Sequence, residues 1–443
     1  MPQGRTSLIS GGPGSGKTVL GLQFVYNGAL AGEPGIFVTF EERTEAVRRN
    51  AEAMGWNLER LEQDGTILLL SIALPTDIVR SGRFNIAGLL GILGGQAKAR
   101  GAKRIVIDAI DVLLRVFQDH EQRVAQISAL HDWLQERGVT TVLTTKEPNT
   151  GGVPEIDYVV DCVVQLDQRV VRQVTTRRLR IMKYRGSDYL HNEYPFILAS
   201  GGMALLPIAR YGLAPHPVGE RISTGVRGLD ALIDSGFRRG WCIFVSGASG
   251  TGKTALACAF SVAAANRGER VLFISFEESV DCMVQAMLSL GLDLRPAIEA
   301  KQMAVLTALP EAMGSEEHLL RIFRPVDTFK PQHVVVDAIS ACRRMGTDEA
   351  SFNFLLRLLL YGKERGITLL FLNQTDGGEP TSDVTGFRFA SLVDVIIRVE
   401  QDWSDESYRR RLLIVKARGS RHSHFYHSFC ITDHGLEVEE RKS

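Results

Sequence analysis

Short runs of consecutive apolar residues alternate along this chain with longer stretches of helical character. In the first half, the runs lie in the segments ISGG, FVTFEE, IVIDAI and TVLTT. Strands that are apolar at nearly every position are typical of parallel sheets covered on both faces. Residues 19–32 and 255–268 have the pattern of helices that end near a glycine. The pattern predicts three-layer α/β domains with mostly parallel central sheets.

The chain repeats this pattern twice, in the same order. Residues 6–18 (TSLISGGPGSGKT) return as 242–254 (CIFVSGASGTGKT), residues 104–113 return as 333–342, and residues 178–187 return as 411–420. Such a long period indicates tandem duplication of a whole domain and not a short-period solenoid. A stretch rich in glycine and proline separates the copies. We predict domains at 1–205 and 221–443, joined by a linker at 206–220.

Composition narrows the class of protein. The 443 residues carry 51 Lys and Arg against 51 Asp and Glu, so the formal net charge is zero. Proteins that neutralise nucleic-acid backbones usually have a basic excess, so nucleic acid is not the expected partner. No apolar run approaches the length of a membrane helix, and the N-terminus has no secretory signal. The six cysteines contain no CxxC pair, which argues against a zinc ribbon. We expect a cytoplasmic protein without a membrane segment.

Two glycine-rich segments carry the strongest chemical signal. Residues 11–18 and 247–254 both fit GxxxxGK[ST], and each follows an apolar strand and opens a predicted helix. In such a P-loop, backbone N–H groups and the helix N-terminus bind nucleotide phosphates, and the lysine reaches the terminal ones. Two copies in register make a chance match negligible. We expect a nucleotide to contact Gly14, Ser15, Gly16, Lys17 and Thr18 in the first copy and Gly250, Thr251, Gly252, Lys253 and Thr254 in the second.

Each copy also offers oxygen ligands for Mg²⁺. Asp108 and Asp337 end the apolar strands RIVID and HVVVD. A carboxylate at that position can hold the water shell of the ion beside the P-loop. A lone aspartate at a strand end is more often a helix cap, but this one recurs in both copies. With the hydroxyls of Thr18 and Thr254, the sequence predicts one Mg²⁺ site in each copy.

Adjacent glutamates follow the second apolar run of each copy, Glu41 with Glu42 and Glu277 with Glu278. The preceding apolar residues predict a buried setting. Two adjacent carboxylates beside phosphates are costly unless they are used, because like charges raise each other's pKa. One member of each pair can polarise an attacking water or hydroxyl. The alternative is a solvated strand end, and the spacing does not identify the base.

A basic segment ends a late strand in each copy. Lys183 and Arg185 lie in KYRG, and Lys416 and Arg418 lie in KARG. Such a pair can reach the phosphates of a neighbouring subunit as an arginine finger. The alternative is an exposed, charged strand end, and spacing alone favours neither.

Together these segments resemble the KaiC family, the tandem RecA-like ATPases and autokinases of the cyanobacterial circadian clock and their bacterial and archaeal relatives. The resemblance covers nearly the whole chain and is carried by FVTFEE, GWNLERLEQDG, KYRG with EYPF, FEES, FKPQHVVVDAISA and KARGS. It implies two RecA-like domains, a homo-hexameric double ring and ATP between adjacent subunits. It also implies that the glutamate pairs are catalytic. The residues that would contact the next subunit's nucleotide are Lys183, Arg185 and Ser187 in the first ring and Lys416, Arg418 and Ser420 in the second.

The resemblance implies two activities as well. In the family the first ring mainly hydrolyses ATP, whereas the second phosphorylates a Ser/Thr pair across its own interface. Here the first position of that pair is Ala390 and the second is Ser391, and Thr385 matches a further threonine acceptor nearby. We therefore predict an Mg²⁺-dependent ATPase and autokinase with Ser391 and Thr385 as phosphoacceptors. Kai-type or other signalling proteins are the expected partners.

Two rival functions stay open at this point. RecA-type folds also support recombinase-like proteins that couple ATP to DNA binding. A regulatory scaffold, in contrast, would use ATP only to hold a hexamer together.

The start of the chain differs between the copies. Residues 221–236 precede the second P-loop strand, but at the 236-residue offset Met1 corresponds to Phe237, so the first copy lacks this approach segment. The difference predicts either a native chain that begins before Met1 or a loss of the segment.

Overall fold

The structure, a computed structural model, describes residues 1–72, 86–117, 119–146, 155–171, 174–189, 191–205, 219–375, 389–404, 407–433 and 435–439. The chain divides into two units, Met1–Pro207 and Ile208–Ser443. Each unit is built around its own sheet and is described by itself.

Among the described residues of the first unit, nine strands form one sheet in the order β3-β2-β4-β5-β1-β6-β7-β8-β9. The strands from β3 to β6 run parallel, and β7, β8 and β9 extend the sheet as antiparallel hairpins. The strands are β1 Thr6–Gly11, β2 Gly35–Thr39, β3 Ile67–Ser71, β4 Arg104–Asp108, β5 Thr140–Thr145, β6 Cys162–Val171, β7 Val174–Tyr184, β8 Glu193–Ala199 and β9 Gly202–Leu205.

Capping residues mark both ends of the longest described helix of the first unit. The side chain of Asp119 accepts a hydrogen bond from the N–H of Gln122 at its start, and the helix ends before Gly138, which has φ +58°. The described helices are Lys17–Leu30, Thr44–Ala53, Leu58–Gln63, Ile86–Arg100, Ile110–Leu114, His120–Arg137 and Ile156–Val159.

The second unit repeats this sheet. Its order within the described residues is β14-β13-β15-β16-β12-β17-β18-β19-β20, strand for strand the order of the first sheet, and a short antiparallel pair, β10 with β11, precedes it. The strands are β10 Arg221–Ile222, β11 Phe237–Arg238, β12 Cys242–Gly247, β13 Val271–Ser275, β14 Met303–Thr307, β15 His333–Asp337, β16 Thr368–Gln374, β17 Val395–Ser404, β18 Ser407–Ala417, β19 His427–Thr432 and β20 Gly435–Val438.

The α-helices of the second unit lie between these strands. A threonine cap begins the longest one, because Thr347 accepts a hydrogen bond from the N–H of Ala350. The described α-helices are Leu229–Leu232, Lys253–Asn266, Val280–Leu288, Arg295–Glu299, Ser315–Phe329 and Asp348–Glu364, with 3₁₀ turns at Pro310–Ala312 and Ile339–Met345.

The predicted fold class is confirmed: both units are α/β, with a mostly parallel sheet and helices. The helices predicted at 19–32 and 255–268 instead begin at the P-loop lysines and end two residues earlier, at Leu30 and Asn266. The glycine that precedes each lysine provides the left-handed turn that starts the helix. The late strands predicted at the basic segments are β7 and β18, which end at Tyr184 and Ala417. Their antiparallel pairing with β6 and β17 was not predicted.

Burial explains why the central strands are apolar. In the second unit all residues of β13 and β15 are buried, and in the first unit all residues of β2 are buried. In the first unit, β2 contributes to two hydrophobic clusters, with Ile36 and Val38 in one and Phe37 in the other. In the second unit, Val271, Phe273 and Val335 belong to a cluster that also contains helix residues. The buried strands therefore fix the position of the loops at the carboxyl edge of each sheet. No described helix combines the length and the apolar composition needed to cross a membrane.

A buried acidic side chain distinguishes the second unit. Glu269 pairs with His333 at 2.7 Å, with Arg267 at 3.0 Å and with Arg239. Burial raises the pKa of the Glu269 carboxyl, but the hydrogen bonds from these three partners outweigh burial and lower it to about 2. A carboxyl whose pKa falls on folding stabilises the folded state above its unfolded pKa, and this contribution is lost as the pH falls toward the folded value.

We expect Glu269→Gln to reduce the stability of the second unit by about 1–3 kcal/mol at pH 7, because the partners lose a charged acceptor. The difference from the wild type should shrink between pH 5 and pH 3. Hydrogen exchange of β13 across a urea series measures it. Glu33→Gln, followed by hydrogen exchange of β2 in the first unit, is the matched control, because the Glu33 ion pair with Arg104 is more exposed and should contribute less than about 1 kcal/mol. Equal losses in the two variants would contradict the assignment.

Candidate nucleotide-binding sites

In the first unit the P-loop connects the central strand β1 to the helix Lys17–Leu30. A Cβ on Gly11 would lie 2.5 Å from the carbonyl oxygen of Leu166 in β6, so only glycine fits there. Gly16 has φ +97° and caps the helix. The loop brings the helix N-terminus, with its unpaired N–H groups, to the carboxyl edge of the parallel strands.

The lysine of this loop folds back over it. Lys17 Nζ donates hydrogen bonds to the carbonyl oxygens of Gly11 at 2.8 Å and Gly12 at 2.9 Å. Burial lowers the pKa of Lys17. Ser15 Oγ is buried and has no hydrogen-bond partner among the described residues. A buried hydroxyl without a partner is costly, so the loop offers a phosphate both a cation and an unsatisfied polar group.

The second unit builds its loop in the same way. Lys253 Nζ donates to the carbonyl oxygens of Gly247 at 2.9 Å and Ala248 at 2.7 Å, and burial lowers the pKa of this lysine. Gly252 has φ +96° at the start of the helix. The hydroxyl of Thr251, unlike that of Ser15, donates to Ala248 O at 2.8 Å.

The predicted aspartates lie beside the P-loop threonines. Thr18 Oγ1 donates to Asp108 Oδ2 at 3.1 Å, and Thr144 Oγ1 donates to Asp108 Oδ1 at 2.6 Å. Thr254 Oγ1 donates to Asp337 Oδ2 at 2.7 Å. Burial raises the pKa of both aspartates to about 6. Each sheet therefore brings together a hydroxyl and a buried carboxylate that are far apart in the sequence, by 90 residues in the first unit and 83 in the second.

This donor set is suited to Mg²⁺. The ion prefers oxygen, keeps several waters and is commonly held by one or two protein groups together with substrate phosphates. No cluster of three or more His, Cys, Asp or Glu that could hold a metal lies within the described ranges. A cation at either threonine–aspartate pair would therefore need oxygen atoms from water and from a phosphate.

The first glutamate pair lies beyond the end of β2. The strand ends at Thr39, whose Oγ1 accepts hydrogen bonds from the N–H groups of Glu41 at 3.3 Å and Glu42 at 3.1 Å. This turn exposes Glu41 and leaves Glu42 partly exposed, so the predicted buried setting is wrong. Glu41 Oε1 pairs with Lys146 Nζ at 2.8 Å, and Glu42 Oε2 accepts a hydrogen bond from Asn50 Nδ2 at 3.0 Å.

The second pair follows β13 through a similar turn. Ser275 Oγ accepts a hydrogen bond from the N–H of Glu278 at 3.0 Å and lies 2.8 Å from its carbonyl oxygen. Glu277 and Glu278 are both exposed, so the prediction of burial is wrong here too, for the same reason. Within the described part of the unit, neither carboxylate forms an ion pair.

The first glutamate of each pair acts on the P-loop lysine. Against the larger effect of burial, the charge of Glu41 helps to raise the pKa of Lys17. In the second unit, Asp337 and Glu277 are the charges that raise the pKa of Lys253. In both sites, therefore, a buried aspartate and the first glutamate of the pair act on the P-loop lysine.

The basic segment of the first unit binds its own chain. Lys183 Nζ donates to the carbonyl oxygens of Asp157 at 2.8 Å and Tyr158 at 3.3 Å, and Arg185 Nη2 donates to Tyr158 O at 2.8 Å. Ser187 is exposed, and its hydroxyl donates to the next residue's carbonyl at 3.2 Å. The structure does not bring these three side chains to the P-loop of their own unit.

The second unit repeats this arrangement around the predicted phosphoacceptor. Lys416 Nζ donates to the carbonyl oxygens of Ala390 and Val393, both at 2.7 Å, and Arg418 Nη2 donates to Ser391 O at 3.1 Å. Ser391 is exposed. The two cations thus fix the backbone of the segment that carries the predicted acceptor. Of the remaining predicted residues, Ser420 contacts Arg221 through its hydroxyl, and Thr385 lies outside the described residues.

Sequence reasoning missed two side chains next to the first P-loop, Thr144 and Lys146. They lie at the end of β5, which pairs in parallel with β1 and places Thr145 opposite Ser10. The available signal was their position directly at the end of the apolar run TVLTT, since the carboxyl ends of neighbouring parallel strands form the ligand-binding edge. In the second unit, β16 pairs with β12 in the same register. Leu372 therefore occupies the position of Thr144, and Gln374 occupies the position of Lys146.

A lysine over a glycine-rich loop, with a threonine–aspartate pair at the carboxyl edge of a parallel sheet, defines a P-loop nucleotide-binding site, and this chain contains two of them in tandem. The family model for the KaiC ATPase matches residues 1–210 and 222–443. The chain belongs to the KaiC ATPase family.

Individual relatives match along nearly the whole chain. Circadian clock protein KaiC2 of Synechocystis sp. is 36% identical over 449 residues, which cover 99% of this chain and 78% of that protein. Circadian clock oscillator protein KaiC of Thermostichus vulcanus is 31% identical over 446 residues, 99% of this chain and 86% of that protein. KaiC of Acaryochloris marina is 30% identical over 446 residues, with 99% and 85% covered. The resemblance seen in the sequence is confirmed.

Proposed function

We propose that this protein binds and hydrolyses MgATP in both domains, assembles into a hexamer with ATP between adjacent subunits, and phosphorylates Ser391 in its second domain. The observation that carries the proposal is the duplication of one site. In each unit a P-loop lysine holds two loop carbonyls, and a threonine hydroxyl lies on a buried aspartate. Retention of the whole set in both copies supports nucleotide binding by both.

Each charged group of the site has a role in this proposal. Lys17 and Lys253 exchange their loop carbonyls for the terminal phosphates of ATP. Thr18 with Asp108, and Thr254 with Asp337, hold Mg²⁺. The ion neutralises the charge that develops on the transferring phosphoryl group.

We assign the general base to the first glutamate of each pair, Glu41 and Glu277. The charges of both members of each pair act on the aspartate beside the P-loop, and the charge of the first member also acts on the P-loop lysine. Glu42, in contrast, accepts a hydrogen bond from Asn50 on the following helix. The base accepts a proton from the attacking water or hydroxyl as the new bond to phosphorus forms.

The basic segments are proposed to complete the nucleotide site of the neighbouring subunit. These residues are Lys183, Arg185 and Ser187 in the first domain and Lys416, Arg418 and Ser420 in the second. Because Lys416 and Arg418 hold the carbonyls of residues 390–393, a nucleotide that they contact would lie beside Ser391. Ser391 Oγ then attacks the γ-phosphorus, its proton passes to Glu277 of the neighbouring copy, and ADP leaves.

The relatives suggest where this activity is used. KaiC2 of Synechocystis sp. and KaiC of Thermostichus vulcanus are both named as circadian clock proteins. We propose that this protein acts in the cytoplasm, in circadian timing or related signalling, with Kai-type or other signalling proteins as partners.

Assembly and turnover together test the proposal. We expect MgATP to convert the purified chain to a hexamer in light scattering, because a ligand bound only by the assembled form stabilises it by mass action. Replacing Lys183, Arg185, Lys416 and Arg418 together by alanine should raise the nucleotide concentration needed for assembly at least tenfold. Lys98→Ala, at an exposed helical position, is the control.

The outcomes separate the rival functions. A monomer at saturating MgATP would contradict the bridged site. A hexamer that releases no phosphate would identify a scaffold, and salt-sensitive binding of single-stranded DNA would favour the recombinase-like alternative.

A further inference from the structure

One ion pair distinguishes the two nucleotide sites. In the first unit Lys146 Nζ lies 2.8 Å from Glu41 Oε1, and the exposed fractions of the two side chains are 30% and 44%. In the second unit the same strand position holds Gln374, whose side chain carries no charge. An exposed ion pair contributes little to folding stability, so a role in stability does not account for it.

The register of β5 places Lys146 beside the strand that leads into the P-loop. Lys146 directly follows Thr145, the last residue of β5, which is paired with Ser10 in β1. Gly11, the first residue of the P-loop, directly follows Ser10. Gly11 O is one of the two acceptors that hold the ammonium of Lys17. The charges of Lys146 and Glu41 both act on Lys17. Lys146 and Glu41 therefore form an ion pair close enough to the P-loop for both charges to act on Lys17.

We propose that Lys146 is a ligand of the γ-phosphate in the first domain and that it gives up Glu41 when ATP binds. The assignment rests on the proposed ATPase function and deepens it. A γ-phosphate carries more negative charge than one carboxylate and offers three oxygen acceptors, so it competes for an ammonium within reach of both.

The exchange couples substrate binding to the base. While Glu41 Oε1 lies 2.8 Å from Lys146 Nζ, the ion pair occupies this carboxylate. Once Lys146 turns to the phosphate, Glu41 is free to take a proton from the attacking water, and the lysine stabilises charge on the phosphoryl group. ADP has no γ-phosphate and leaves the ion pair intact. The second domain, with Gln374, lacks this coupling.

Comparison of two nucleotides tests the assignment. The full chain is used with Lys253→Ala, so that the first domain dominates the binding signal. Affinities for MgADP and for the Mg²⁺ complex of the non-hydrolysable β,γ-imido analogue of ATP are measured with and without Lys146→Gln. We expect the variant to bind the analogue about tenfold more weakly, to bind MgADP within twofold of its parent, and to hydrolyse ATP at least tenfold more slowly.

Two further variants control the result. Lys146→Arg keeps the charge and should recover most of the analogue affinity, whereas Lys98→Gln removes a lysine from an exposed helix face and should change neither affinity. Equal weakening for both nucleotides, no weakening for either, or faster turnover would overturn the assignment and leave Lys146 as a surface charge or a restraint on Glu41. A parent that fails to bind either nucleotide would overturn the proposed function itself.

Discussion

Replacement of Glu41 and Glu42 together by glutamine is expected to lower ATP hydrolysis by the first domain about 100-fold or more, because a general base commonly contributes that much to a rate. Binding of MgATP should persist, since Lys17, Thr18 and Asp108 stay in place. Phosphate release and equilibrium binding, both measured with Lys253→Ala in the full chain, separate the two effects.

The single variants identify the base. Glu41→Gln should account for most of the loss, because its charge acts on Lys17, whereas Glu42→Gln should cost less than about tenfold. Glu45→Gln is the matched control, as an exposed glutamate in the first turn of the following helix. Unchanged turnover in the double variant would assign the base to another residue.

The fold was largely predictable because the signal is redundant. Parallel strands buried on both faces must be apolar at almost every position, and the duplication shows each strand twice. The antiparallel pairing of β6 with β7 and of β17 with β18 could not be recognised in that way. Consecutive arginines such as Arg409, Arg410 and Arg411 in β18 lie on alternating faces of the strand. Such runs lack the alternation of apolar and polar positions that predicts a strand.

The site residues that belong to sequence motifs were predictable. The residues whose role depends on the folded structure were not. The pairing of Thr18 with Asp108 follows from two motifs, the P-loop after β1 and the aspartate that ends β4, which lie at the same edge of the sheet with β5 between their strands. Exposure of Glu41 depends on one hydroxyl, that of Thr39, which closes a turn and ends the strand early. Lys146 belongs to no motif, and only the register of β5 against β1 brings it to the loop.

The basic segments show why spacing alone left their role undecided. Lys183 and Lys416 are buried enough that desolvation lowers the pKa of each, and both hold carbonyl oxygens of a preceding turn. They are therefore neither free charges at a strand end nor contacts to their own P-loop. The same turn carries Tyr158 in the first unit and Ser391 in the second. Of these two residues only Ser391 has the short aliphatic hydroxyl of a Ser/Thr acceptor, which supports confining the kinase activity to the second domain.

Incubation with MgATP is expected to add phosphate chiefly at Ser391, with Thr385 as the second acceptor, and mass spectrometry of the purified protein locates it. Ser391→Ala should remove most of the incorporation, and Lys253→Ala should abolish it, because the second domain then lacks the lysine that holds the transferring phosphate. Ser289→Ala, at an exposed helix end, is the control and should change nothing. Phosphate at neither Ser391 nor Thr385 would leave only the ATPase half of the proposal standing.

The phosphate at Ser391 should also alter assembly. It brings up to about two negative charges next to Arg418 Nη2, which donates to Ser391 O at 3.1 Å in the unmodified chain. A phosphate is a stronger acceptor than a carbonyl, so Arg418 should turn to it and give up the nucleotide of the neighbouring subunit. We therefore expect the phosphorylated protein to need more MgATP than Ser391→Ala for half-maximal assembly in light scattering. An equal requirement in the two would show that Arg418 does not link the acceptor to the subunit interface.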